Sequence, residues 1–275
     1  MTVMQLYRAT APAIVVRFFI ELVFCACSAL ILFGILSSMG LGSGIPADGN
    51  SILFVGVLWA ATIAGLRMVM FRTVGYLVQS THILAAVNTM EGGEPTDFWL
   101  GMRVLQGRMG GYGGYAALKR QCLDDIRAAN ERRNPNGSLD YLNTTVGVHW
   151  MGGLIKMFLR LTGGLAFACC LAWAFSVKRE DMELGAAVRE GAEAYAADLR
   201  DNVRDEAVLC MMRVGFWILV LIGAMLLYGL FTRHAEFSGP IAACLSVLVA
   251  LLVKYTLADP WLLLKRVRAF MMSGI

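Results

Sequence analysis

Several charged residues lie within or beside the long apolar runs of this sequence, where a charge is costly, and we select six of them for their position and spacing. They are Arg17, Glu21, Lys156, Arg160, Lys254 and Asp259. Inside a bilayer such a residue forms an ion pair, extends its charged end to the lipid headgroups, or lines a wet pathway for a solute or an ion. The sequence leaves these roles open, and the six residues form our candidate polar membrane cluster.

Spacing indicates which of these charges can pair. Arg17 and Glu21 are four residues apart within one apolar run, so a helix places them on the same face. Lys156 and Arg160 are also four apart, and two cations on one face need Glu21, helix carbonyls, lipid phosphate or water as partners. Lys254 precedes the end of the last run by one turn, and the simplest interpretation is extension to the headgroups.

Other residue types offer little chemistry. His82, His149 and His234 are scattered without metal-ligand spacing, and the seven cysteines contain no CxxC pair. Gly107 to Gly114 form a glycine-rich stretch that lacks the Lys-Ser or Lys-Thr of a phosphate loop, which favours a hinge or a close helix contact. We therefore predict no catalytic residue, no metal ligand and no cofactor, and we interpret the cysteines as buried apolar residues.

The composition is typical of a membrane protein. Of the 275 residues, 58% are hydrophobic and 16% are charged, against about 25% charged residues in a globular domain. The net charge of +4 is too small to indicate nucleic acid as a partner. The partner that the composition predicts is the lipid bilayer.

Four apolar runs are long enough to cross a membrane, since about 20 helical residues at about 1.5 Å each span a hydrocarbon layer of about 30 Å. They are Val15–Ser37, Ile52–Phe71, Val208–Phe231 and Ile241–Ala258. The predicted fold class is an all-α polytopic integral membrane protein with four transmembrane helices, a re-entrant helical hairpin and amphipathic cytoplasmic helices.

Basic residues predict the orientation in the membrane. The loop between the first two runs lacks Lys and Arg, whereas Arg67 and Arg72 lie at the far end of the second run. Because cytoplasmic segments carry the excess of Lys and Arg, the amino terminus with Arg8 and the basic carboxyl-terminal segment should face the cytoplasm. We expect a multi-pass protein of the cell inner (plasma) membrane.

The stretch from Thr144 to Arg179 has two interpretations. It contains two apolar segments around Thr162-Gly163-Gly164, and it is too long for a single crossing. If residues 161–177 cross, there are five spans. If the stretch folds back at the glycines as a re-entrant hairpin, Arg233 alone of the 24 basic residues lies outside. We favour the hairpin and predict that it is the functional centre.

The remaining segments show helical patterns. Phe98 to Arg133 predicts a pair of helices interrupted by glycines, and Lys178 to Glu206 predicts an amphipathic helix that packs on this pair or on a second subunit. Its apolar face consists of Leu184, Val188, Tyr195, Leu199 and Val203. Asp259-Pro260 is typical of a helix N-cap followed by a first-turn proline, and it predicts an interfacial C-terminal helix.

These patterns divide the chain into five regions. They are a first transmembrane helical hairpin over residues 1–72, a cytoplasmic helical region over 73–143, the re-entrant hairpin or extra span over 144–179, the amphipathic helix over 180–206, and a second transmembrane helical hairpin with the interfacial helix over 207–275. The first and last regions contain the four spans.

Two segments resemble a known family. His82 to Val104 reads HILAAVNTMEGGEPTDFWLGMRV, and Val253 to Trp261 reads VKYTLADPW. Both are similar to segments of an uncharacterised family of prokaryotic multi-span membrane proteins, which implies the membrane class and brings no activity with it. The matching positions are His82, Ile83, Gly93, Pro95, Gly101, Val104, Lys254, Asp259 and Pro260.

Three classes of function are consistent with these features. A non-enzymatic scaffold or channel-like assembly component is favoured by the cytoplasmic amphipathic faces, with a homo-oligomer or another membrane protein as the partner. A small-solute or ion transporter requires a charged midplane cavity, which Arg17, Glu21, Lys156 and Arg160 would line. A membrane-embedded enzyme acting on a lipid requires clustered histidines or carboxylates at the interface.

Overall fold

The computed structural model describes residues 1–38, 49–93, 98–133, 164–179, 181–234 and 239–273, and every element within them is helical. We label the α-helices in chain order as α1 (Val3–Ala9), α2 (Ala11–Ser38), α3 (Gly49–Met70), α4 (Tyr76–Met90), α5 (Phe98–Met109), α6 (Gly111–Arg133), α7 (Gly164–Ala174), α8 (Leu184–Ala197), α9 (Leu199–His234), α10 (Gly239–Val253) and α11 (Asp259–Ser273). Two π-helical segments, Phe71–Gly75 and Lys254–Ala258, join α3 to α4 and α10 to α11.

Four stretches of the described chain are long and apolar enough to cross a membrane. They are Ala11–Ile35, Phe54–Met90, Asp201–Arg233 and Ile241–Ser273. Each coincides with one of the predicted apolar runs, and the last three are longer because their helices continue into amphipathic sequence. The prediction of an all-α polytopic membrane protein is confirmed.

The junction at Asp259 differs from the predicted N-cap. Asp259 has helical dihedral angles (φ −65°, ψ −42°), and its N–H donates to the carbonyl of Lys254 five residues earlier. The helix therefore continues through this point as a π turn. Pro260 explains the local widening, because a proline inside a regular α-helix lacks an N–H and its ring collides with the carbonyl four residues before it.

The described residues divide into two compact units. The first, which we call the amphipathic unit, contains Met1–Ala13, Leu77–Arg213 and Trp261–Ile275. The second, which we call the span unit, contains Ile14–Tyr76 and Val214–Pro260. The units are thus assembled from segments that lie far apart in the chain, and both ends of the chain belong to the amphipathic unit.

Apolar packing and a buried hydrogen bond hold the span unit together. Leu32, Val55, Trp59 and Leu248 form one buried cluster contributed by α2, α3 and α10. The indole Nε1–H of Trp59 donates to the carbonyl of Ser28 at 3.1 Å, so its polar atom is satisfied inside the apolar contact. A buried Trp that has such a partner packs without leaving an unpaired donor.

In the amphipathic unit α8 packs along α6, as the sequence predicts for the segments 178–206 and 98–133. The break within 98–133 is also confirmed: Gly110 and Gly111 both have positive φ (62° and 81°), a conformation that favours glycine. Gly191 of α8 allows the close approach of α7, because a Cβ atom there would lie 2.9 Å from the carbonyl oxygen of Cys170.

The described part of the 144–179 stretch is a core helix of the amphipathic unit. At about 1.5 Å per residue the described helix α7 is about 16 Å long, about half of the hydrocarbon thickness. Phe167 and its neighbours on α7 are buried, and the Phe167 ring contacts that of Tyr115 at a centroid distance of 5.2 Å. The first arm of the predicted hairpin lies outside the described residues.

The predicted amphipathic helix 180–206 is two helices. It is interrupted at Asp198 (φ −114°, ψ 41°), where α8 ends and α9 begins. The interruption shifts the buried face: Leu184, Val188 and Tyr195 are buried as predicted, whereas Leu199 and Val203 are half-buried and the polar Asn202 and Glu206 are buried instead.

The C-terminal helix α11 packs within the amphipathic unit, and its position at the membrane interface stays a prediction. Leu262, Leu264, Val267 and Phe270 are buried, and so is Arg266. The helix forms part of the core of the amphipathic unit.

Candidate functional site

An ion pair joins the first two spans. Both guanidinium ends of Arg67 on α3 donate to the carboxylate of Glu21 on α2, Nη1 to Oε2 and Nη2 to Oε1, each at 3.1 Å. The Glu21 side chain is 5% exposed and that of Arg67 is 27% exposed. A planar guanidinium matches a carboxylate in this two-bond arrangement, which fixes the orientation of both side chains.

A second ion pair lies at the end of the last span. The Nζ of Lys254 is 3.1 Å from both carboxylate oxygens of Asp259, and the lysine side chain is 2% exposed. Residues five apart diverge on an α-helix, but the wider π turn brings them onto one face. Lys254 is therefore buried and paired within the chain.

One tyrosine ring contacts both cations. The guanidinium carbon of Arg67 is 3.3 Å from the ring centroid of Tyr255, and the Nζ of Lys254 is 4.0 Å from it. The Nζ of Lys254 also lies 4.5 Å from the ring of Trp217. Desolvated cations gain about 2 kcal/mol from such contacts. We call Glu21, Arg67, Trp217, Lys254, Tyr255 and Asp259 the charged cluster.

The charged cluster contains three of the six residues that we selected from the sequence, namely Glu21, Lys254 and Asp259. Arg17 lies on α2 one turn before Glu21 and is half-buried. The predicted contact between these two residues stays a prediction. Lys156 and Arg160 lie outside the described residues. The sequence analysis missed Arg67, which it used only to predict orientation.

The geometry of the cluster suits a structural role. Two cations and two carboxylates make it neutral as a whole, and its members come from α2, α3, α9 and the segment after α10. Removing one partner of a buried pair leaves an uncompensated charge, at a cost of about 3–5 kcal/mol. The cluster therefore favours one arrangement of these helices over others.

A buried arginine network lies in the amphipathic unit. Arg266 on α11 is 1% exposed, and its Nη2 donates to Asn202 Oδ1 at 2.8 Å. Its Nε lies 3.7 Å from Glu206 Oε1, and its Nη1 lies 3.7 Å from Asp205 Oδ2. The hydroxyl of Tyr195 on α8 donates to Glu206 at 2.7 Å. Burial, and then the Glu206 charge, raise the pKa of Tyr195, so this donor keeps its proton.

Three buried thiols lie where α6 meets α7. Cys122, Cys169 and Cys170 are fully buried and free. Burial raises the pKa of Cys169 to about 12, so its thiol is neutral and unreactive at physiological pH. For these three cysteines the interpretation as buried apolar residues is confirmed.

An open groove of about 480 Å³ lies on the amphipathic unit, between the α5–α6 turn and the start of α8. Its polar lining consists of Arg108, Gln121 and Glu183 beside apolar side chains such as Met109 and Leu184. Arg108 already donates to the carbonyl of Met182 at 3.3 Å. These groups do not assemble a nucleophile with a base, which acyl or phosphoryl transfer would require.

Comparison of the chain with protein-family models, with curated proteins and with solved structures finds no match. The resemblance of His82–Val104 and Val253–Trp261 to a prokaryotic membrane family therefore stays a prediction.

Proposed function

We propose that this protein is a non-enzymatic scaffold of the membrane, a component that holds helices in a fixed arrangement within a larger assembly. The observation that carries the proposal is the charged cluster, in which each carboxylate is held by a cation through two contacts and each cation lies against Tyr255. Opening one buried pair costs about 3–5 kcal/mol. A solute that binds with millimolar affinity gains only about 4 kcal/mol. The cost of opening the pair is therefore as large as the whole binding free energy of such a solute.

The apolar faces of the spans support assembly with a partner. Only 6% of the apolar window of Asp201–Arg233 and 11% of that of Phe54–Met90 are buried within the chain. Faces of this extent accommodate lipid or the helices of another protein. We propose that a second copy of the chain, or another membrane protein, packs on them.

The experiment that tests the scaffold proposal measures assembly and stability together. The full chain is purified in mild detergent, and its mass is measured by native mass spectrometry after cross-linking in the membrane. We expect an oligomer or a complex that is lost in Glu21→Gln and recovered in the exchanged pair Glu21→Arg with Arg67→Glu. A chain that is monomeric in the membrane contradicts the proposal, as does an assembly that Glu21→Gln leaves unchanged.

The sidedness proposal rests on the basic residues near the two ends of the chain. We propose that both termini lie in the cytoplasm and that the protein belongs to the cell inner (plasma) membrane. Cysteines introduced near residues 3 and 273 should resist labelling from outside the cell, and labelling at either end contradicts this orientation. A reporter at residue 180 tests the hairpin, because an additional crossing would expose that reporter to the exterior.

One observation favours an ion or small-solute transporter as the second candidate. Arg67 is 27% exposed although its partner Glu21 is 5% exposed, so one side of the pair is open. An exchangeable ion pair of this kind can take part in transport if a solute replaces one member. Uptake into proteoliposomes that Glu21→Gln and Asp259→Asn both abolish, with unchanged thermal stability, would favour this candidate over the scaffold.

A further inference from the structure

Helix α5 has two apolar sides, and within the part of the chain that the structure describes only one of them is covered. Phe98, Gly101, Leu105 and Met109 are buried in the amphipathic unit. Trp99, Leu100 and Val104 are exposed by 57%, 58% and 48%. Exposed apolar side chains that form a contiguous patch mark a site of interaction with a protein or a membrane.

The exposed residues share one side of the helix. At about 100° per residue, Trp99, Leu100 and Val104 span about 140° of the circumference, and the exposed Arg103 lies within this arc. We call these four residues the α5 face. Its composition, with a Trp, two aliphatic residues and an Arg, is that of a helix that lies in the headgroup region with its apolar side toward the acyl chains.

Charge selects the partner. Within α5 the charged residues are Arg103 and Arg108, both exposed, and the helix contains no Asp or Glu. A cationic helix with an apolar face is complementary to anionic phospholipid, where each basic residue near the surface contributes about fivefold in affinity. The four spans keep the chain at a bilayer, so the helix meets lipid at high effective concentration.

We propose that the α5 face is a lipid-binding surface that inserts Trp99, Leu100 and Val104 into the headgroup region of an anionic membrane. Arg103 lies among the phosphates and binds them. The lipid-binding proposal requires only that the protein lies in a membrane. A result that contradicts it therefore leaves the scaffold proposal unaffected, and the reverse also holds.

The test is photo-cross-linking of the full chain in lipid nanodiscs. A benzophenone amino acid replaces Leu100, and in the control it replaces Asp124, whose side chain on α6 is 72% exposed. In phosphatidylglycerol discs we expect lipid adducts at position 100 that are about fivefold more abundant than at position 124. Equal adduct formation at the two positions overturns the proposal, and so does a dominant adduct with a protein chain.

Charge variants test the anionic preference. In the chain labelled at position 100, Arg103→Gln should lower the yield of lipid adducts by about fivefold in phosphatidylglycerol discs. The matched variant Arg120→Gln, which removes an exposed arginine of α6, should not change it. Thermal unfolding of each labelled chain confirms that it is folded. A yield that is the same in phosphatidylcholine discs, or the same in both variants, overturns the assignment to anionic lipid.

Discussion

Arg67 in the span unit and Arg266 in the amphipathic unit are both held by carboxylates, but the surroundings of each guanidinium differ. Arg67 has one carboxylate at two contacts of 3.1 Å and an aromatic ring at 3.3 Å. The short contact of Arg266 is to the amide oxygen of Asn202, and its carboxylates are 3.7 Å away. The first arginine depends on a single anion, whereas the second distributes its charge over several groups.

This difference indicates which residue, when removed, should destabilise each network most. In the span unit one carboxylate neutralises Arg67, so Glu21 is the sensitive member. In the amphipathic unit the cation serves two carboxylates, one of them the 2% exposed Glu206, so Arg266 is the sensitive member. Four substitutions test this comparison and the packing around it.

Replacing Arg266 with Met should have the largest effect. The variant leaves the buried carboxylate of Glu206 without its nearest cation, and we expect a loss of about 3–5 kcal/mol in the free energy of unfolding. Chemical unfolding of the full chain in detergent, followed by circular dichroism, measures it. The control is Arg268→Met, whose half-buried side chain makes a solvent-exposed hydrogen bond to the Met1 carbonyl and should contribute less than about 1 kcal/mol. Equal losses in the two variants contradict the comparison.

Replacing Glu21 with Gln should have the next largest effect. The amide cannot accept both guanidinium ends of Arg67, and we expect a loss of about 2 kcal/mol, since Arg67 is partly exposed and water compensates it in part. The matching change to an amide, Asp205→Asn, should lower the free energy of unfolding by less than about 0.5 kcal/mol, because the Asp205 side chain is 47% exposed. A larger loss at Asp205 than at Glu21 would reverse our view of the two networks.

Replacing Gly191 with Ala tests the approach of α7 to α8. A Cβ atom at this position would lie 2.9 Å from the Cys170 carbonyl oxygen and 3.1 Å from the Trp173 Cβ, so the helices must separate. We expect a loss of about 1–2 kcal/mol, measured by thermal unfolding. Gly185→Ala on the same helix has open space at the new methyl group and should be neutral or stabilising by about 0.5 kcal/mol. If both variants behave alike, the close contact is absent.

The smallest effect concerns the pH dependence of Glu190. The hydrogen bond from Arg179 lowers the pKa of this carboxyl below its usual value. A folded-state pKa below the unfolded value stabilises the protein at pH values above the unfolded pKa, and this stabilisation is lost as the pH falls through the folded pKa. Because the Glu190 side chain is 44% exposed, we expect less than about 1 kcal/mol.

Titration of stability between pH 7 and about pH 3 compares Glu190→Gln with the parent chain. We expect the variant to be slightly less stable at pH 7 and to lose the part of the acid dependence that Glu190 contributes. Identical curves would show that the exposed pair between Arg179 and Glu190 contributes nothing to the amphipathic unit.

Local signals predicted much of the fold. The four spans follow from the length of their apolar runs, and the break between α5 and α6 follows from consecutive glycines. In both cases the physical cause lies within about 20 neighbouring residues. The helix α4 likewise ends just before Gly92-Gly93, and Gly92 has a positive φ of 79°.

The misses depend on contacts between distant segments. Arg67 and Glu21 are 46 residues apart, and no spacing rule connects them. The burial of Arg266 could not be predicted from its neighbours in sequence, because residues 202 and 206 on α9 provide its partners. The dipeptide Asp259-Pro260 favours a helix start in isolation, whereas the continuous helix around it converts the same residues into a π turn.

The rate at which the buried thiols of α6 and α7 react with an alkylating reagent reports how often this part of the protein unfolds. Because Cys169 is inaccessible and protonated in the folded chain, an alkylating reagent at pH 8 can modify it only when the contact between these helices opens. The rate of modification in crude membranes therefore measures the opening of the amphipathic unit directly. The variants of the amphipathic unit, at Arg266, Gly191 and Glu190, can therefore be ranked in native lipid before any detergent is added.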